Sequence, residues 1–135
     1  MSFKTTAVFL AVVTFILGVG YLLAGSLLVA RWGIEPTEGV LLLGRRIGAV
    51  YLGLSVIYFL TRSLAPSPAR SALSSGATVT CSLLAILGIY EFSAGDAAPP
   101  ILVSAAVEAF LAISFSRILL LDHRTVTRNA TSKAA

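Results

Sequence analysis

Charge is scarce in this chain. Only 12% of its 135 residues are Asp, Glu, Lys or Arg, where a soluble domain carries roughly 25%. A protein of this size could not cover its surface in water with so few polar side chains, so a bilayer is the expected solvent. Cysteine is scarcer still. Cys81 stands alone, which excludes an internal disulfide and a multi-cysteine metal site, and its apolar surroundings predict a small packing residue. His123 is the single histidine, beside Asp122 and Arg124 in the polar end of the chain, and reads as a solvated interfacial side chain. No Gly-rich phosphate loop, metal-ligand cluster or Ser-His-Asp set is present, so no catalytic residue, metal or cofactor is expected. No segment alternates with period two, which argues against strands. The net charge of +4 comes from basic residues spread along the chain, with no Lys- and Arg-rich cluster interleaved with aromatics, so nucleic acid is not an expected partner.

What the chain does have is hydrocarbon. Its hydrophobic fraction is 57% and its mean hydropathy +0.94. About 20 apolar residues span a bilayer as a helix. Four segments qualify, residues 6–30, 39–60, 72–90 and 100–121, and residues 1–121 form a single transmembrane domain followed by a polar tail, 122–135, disordered at its end. The first segment follows Lys4 and resembles a signal sequence, but it is about twice the length of an h-region. LLAGS at 22–26 has Ser26 where a lipoprotein site needs cysteine, so the segment is read as a retained helix. Ser67 and Pro68 suit the cap and first turn of the third helix, and Asp96 and Pro99 the start of the fourth.

Charge then orients the spans. Lys4, Arg62, Arg70, Arg124, Arg128 and Lys133 fall at the N-terminus, the second loop and the tail. Arg31 with Glu35 and Glu38, and Glu91 with Asp96, mark the other two loops. The positive-inside rule places both termini in the cytoplasm. The expected fold is therefore all-α, a four-helix antiparallel transmembrane bundle in a cell membrane. The sequon at Asn129-Ala130-Thr131 then faces the cytoplasm and carries no weight.

Two adjacent arginines interrupt the second span. Arg45 and Arg46 lie in LLLGRRIGAVYLG, about 9–10 Å into the second span, and Glu108 lies about 12 Å into the fourth from the same side. A lone charge at the bilayer centre costs about 2.5–3.5 kcal/mol by insertion scales. An interior ion pair between Glu108 and Arg45 or Arg46 is therefore expected, the alternative being arginines that snorkel to the headgroups. Ser104, Glu108, Ala112 and Ser116 make a small polar stripe, as do Arg45, Ala49 and Gly53 beside the Gly44–Gly48 pair. Thr14, Gly18, Tyr21 and Gly25 make a comparable face in the first span. Tyr21 and Tyr51, in GVGYL and GAVYL, and Ser104 are the expected pocket lining near the charged pair.

RWGIEP followed by LLLGRRIGAVYLGLSVIYFLTRS resembles small bacterial integral membrane proteins of four helices, in which an arginine and a Gly-rich string mark helix two. The resemblance covers residues 15–62; beyond them only hydropathy matches. It implies the fold and the membrane but no activity. The expected function is non-catalytic, an accessory subunit or a module binding lipid or a partner, with membrane lipids, another membrane protein or a second copy as partners. The alternative is a small proton- or cation-coupled transporter acting as an oligomer. In size, helix number and its single membrane glutamate, the chain resembles the small multidrug exporters. It departs from them in carrying that glutamate in the fourth helix with arginines at its level.

Overall fold

The computed structural model describes the backbone of residues 2–134 and the side chains of residues 2–122. The described residues form five helices and no strand: α1 (Phe3–Leu23), α2 (Gly25–Arg31), α3 (Glu38–Thr61), α4 (Pro68–Ala94) and α5 (Ile101–Ala134). Of these, α1, α3, α4 and the part of α5 up to Asp122 are long and apolar enough to cross a membrane. They make a four-helix bundle. Large apolar side chains such as Ile16, Leu23, Leu43, Leu60 and Ile86 stand exposed around it, as a hydrocarbon solvent permits.

The helix ends follow local chemistry. The Ser67 hydroxyl accepts from the Arg70 amide, and Pro68 occupies the first turn of α4, as the sequence predicts. Thr37 caps α3 in the same way, with Glu38 favourably placed in the first turn. Asp96 does not start the last helix; it closes the one before. Gly95 adopts φ +83°, its amide donates to the Phe92 carbonyl, and the Asp96 amide donates to that of Glu91. This is the Schellman arrangement, and glycine takes the left-handed conformation without penalty.

The first span is not continuous. The helix breaks at Ala24, and α2 turns away at the Gly25-Ser26 pair, a common site of sharp kinks. Leu28 then packs over Gly20, where a Cβ would stand 2.9 Å from its Cδ1. The backbone of α5 continues to Ala134, through the polar residues that follow its apolar part. His123, Arg124, Arg128, Lys133 and the sequon lie outside the residues whose side chains are described.

The bundle consists of two close pairs, α1 with α3 and α4 with α5, joined by a lighter contact between α1 and α5. In the first pair, small residues let the backbones approach. A Cβ on Gly48 would stand 2.9 Å from the Gly18 carbonyl oxygen, and one on Gly18 would stand 2.8 Å from Leu52 Cγ. In the second pair, Gly88 faces Ala105. Where the pairs meet, Phe115 is fully buried between Phe3 and Tyr58, with ring centroids 6.4 and 5.9 Å away. At the other end the Ala98 amide donates to the Trp32 carbonyl, tying the loop after α2 to the loop after α4.

Candidate functional site

The lighter contact between the two helix pairs leaves space. A cavity of about 300 Å³ lies there, walled by all four long helices. Its lining is almost wholly apolar: Leu10 and Leu17 from α1, Leu54 from α3, Leu84 from α4 and Leu111 from α5. Ile16 and Val103 also line it and are exposed, so the cavity reaches the lipid-facing surface. The polar groups are few. Thr14 satisfies its own hydroxyl by donating to the Leu10 carbonyl at 2.8 Å, the usual recourse of threonine in a membrane helix. Tyr51, Tyr58, Thr80, Cys81, Ser104 and Glu108 are the other lining residues that carry a polar group.

The sequence-predicted residues separate into two groups. Glu108, Ser104 and Tyr51 come together in the cavity wall. Tyr21 is buried behind them, its ring stacked on Tyr51 at 6.2 Å and 18°, with Trp32 against its edge. Arg45 and Arg46 do not join this group. Gly44 and Gly48 are buried positions of α3, with Ser55 and Tyr58, and the two glycines face α1. Arg45 and Arg46 lie about 100° and about 200° round the helix from Gly44, and both are exposed. Ala49 and Gly53, expected to share an inner face with Arg45, are exposed as well. Among the described residues no arginine or lysine forms an ion pair with Glu108, and its carboxylate accepts no hydrogen bond.

The ion pair that does form was not anticipated. Arg70, in the first turn of α4, donates from Nη2 to Asp122 Oδ1 at 3.0 Å, and its Nε stands 2.9 Å from Oδ2. Nη1 donates to the Leu64 carbonyl at 3.2 Å, and the guanidinium lies 4.7 Å from the Phe3 ring centroid. The Nη2 contact is the hydrogen bond and the Nε contact a close ionic approach, and the stacking on Phe3 adds a cation–π contact. The signal was present in the sequence. Asp122 is the single acid near Lys4, Arg62 and Arg70, while Glu35, Glu38, Glu91 and Asp96 belong to the opposite loops.

Arg70 and Asp122 also border a second, more polar cavity of about 390 Å³ at that end of the bundle, shared with Ser2, Lys4, Arg62 and Ser63. No group of three or more metal-ligating side chains occurs among the described residues. Compared with known protein families, curated proteins and solved structures, the chain matches none.

Proposed function

We propose that the protein is a non-catalytic, membrane-embedded binding module whose interhelical cavity takes a lipid chain or another apolar ligand dissolved in the bilayer. One observation carries this reading: the cavity combines apolar walls from four helices with a single carboxylate that no described residue pairs. Ligand sites are typically hollows of about 300–1,000 Å³ with mostly apolar walls and a few convergent polar groups. An ionisable side chain inside a membrane segment marks a functional position by default. The cell membrane is the corresponding location. Both termini face the cytoplasm in this reading, because the Lys4, Arg62 and Arg70 end carries the basic excess. A larger complex, formed with another membrane protein or a second copy, fits the small size of the bundle.

A second reading is favoured by the same carboxylate. An arginine beside Glu108 would hold it ionised and oppose proton exchange. With Arg45 and Arg46 on the outer face that objection falls, and a proton- or cation-coupled transporter becomes the rival. Native mass spectrometry from mild detergent separates the readings. Wild type should retain a lipid-sized species that Val107→Phe, which fills the cavity, releases. Glu108→Gln should leave no trace in a proton-flux assay on proteoliposomes, because none is expected in wild type. An empty wild-type protein whose proton flux vanishes in Glu108→Gln would overturn the binding module and establish the transporter.

A further inference from the structure

The cavity at the Arg70–Asp122 end has a composition unlike the central one. Three basic side chains border it, Lys4 from the first turn of α1, Arg62 at the end of α3 and Arg70 from the first turn of α4, with the hydroxyls of Ser2 and Ser63. One acid, Asp122, stands against them, and it is engaged by Arg70. No Asp or Glu occurs in residues 123–135, which include Arg124, Arg128 and Lys133. Arg62 is held over the Phe59 ring at 4.0 Å and donates to the Phe59 carbonyl, which fixes its guanidinium at the helix end. Lys4 forms no ion pair among the described residues. The cavity thus has an excess of two positive charges over its own acid, with hydroxyl donors beside them. All three basic residues sit at helix ends, where a spanning helix meets the headgroup layer.

We propose that this cavity is a phosphate-binding site, with Lys4 and Arg62 as the ligating cations and Arg70, locked by Asp122, as the wall that holds them apart. A phosphodiester in a phospholipid headgroup and free inorganic phosphate present the same anionic oxygens to these groups. Arginine and lysine both suit phosphate, the first as a planar fork and the second as a point charge. The site lies apart from the central cavity and does not depend on what occupies that one.

The test uses the full chain, delipidated and then incorporated in nanodiscs of phosphatidylcholine alone or of phosphatidylcholine with phosphatidylglycerol. Lipid retained after extraction is counted by native mass spectrometry. A parallel arm titrates inorganic phosphate against thermal unfolding in detergent. Wild type should retain phosphatidylglycerol over phosphatidylcholine, and the Lys4→Gln/Arg62→Gln double variant should lose about 25-fold in retention, since each basic group at an anionic surface contributes about fivefold. The Lys4→Arg/Arg62→Lys variant, which keeps both charges, should keep most of it. Arg117→Gln removes a charge from an exposed position of α5 that does not line the cavity, and it should behave as wild type. Protection by inorganic phosphate that the double variant loses, without lipid retention, would assign the site to free phosphate. Equal loss in Arg117→Gln would reduce the effect to general surface charge and overturn the site. So would the absence of both lipid preference and phosphate protection in wild type.

Discussion

Asp122 shows how much one position can carry at a bundle end. Its carboxylate is nearly buried, and it holds an arginine that also stacks on Phe3 and bonds the Leu64 carbonyl. Removing one partner of a buried pair leaves the other charge uncompensated. Asp122→Asn should therefore lower stability by about 3 kcal/mol, the low end for such pairs, because the side chains keep 15% and 10% of their exposure. Replacing both, Arg70→Met with Asp122→Leu, should recover most of the loss in the same denaturation assay. Glu108 behaves differently. With Arg45 and Arg46 exposed on α3, double-mutant cycles of Glu108→Gln with Arg45→Gln or Arg46→Gln should show coupling below about 0.5 kcal/mol. Strong coupling to either arginine would restore the interior pair expected from depth alone. Depth along a helix says nothing of direction, since a helix residue turns by about 100° with each step.

At the scale of the element, the contact between α1 and α3 depends on missing side chains. Gly48→Ala would place a methyl against the Gly18 carbonyl, and a backbone atom cannot rotate away. The helices would have to separate, at a cost of about 1–3 kcal/mol. Gly53→Ala meets nothing within 4 Å and should leave thermal unfolding unchanged, or raise its midpoint slightly through better helix propensity. Equal behaviour of the two variants would remove the close approach as a source of stability. These glycines look alike in the sequence, and both belong to four-residue spacings. Only the packing of α3 on α1 shows that Gly44 and Gly48 are inside while Gly53 faces out. The break at Ala24 is local instead: it falls beside the Gly25-Ser26 pair, and Leu28 seats on Gly20 eight positions before it.

For the whole molecule, charge asymmetry is the basis of the proposed topology. Reporters fused after Arg70 and after Lys133 should read as cytoplasmic, and one inserted near Asp96 as external, following the alternation of basic and acidic loops. An external C-terminus would reverse the proposed orientation and place the phosphate site on the outer face. What the sequence determined by itself is whatever depends on solvent and on neighbours along the chain. Four apolar stretches of spanning length, the Ser67-Pro68 cap and the scarcity of charge follow from hydropathy and backbone hydrogen bonding, which need no partner helix. The tertiary structure alone decided which face of each helix turns inward. Facing is set by packing between segments tens of residues apart, and in an apolar solvent a leucine on either side of a helix reads the same. That is why Glu108 stands in the cavity without Arg45 or Arg46, and why Arg70 closes on Asp122 across 52 positions.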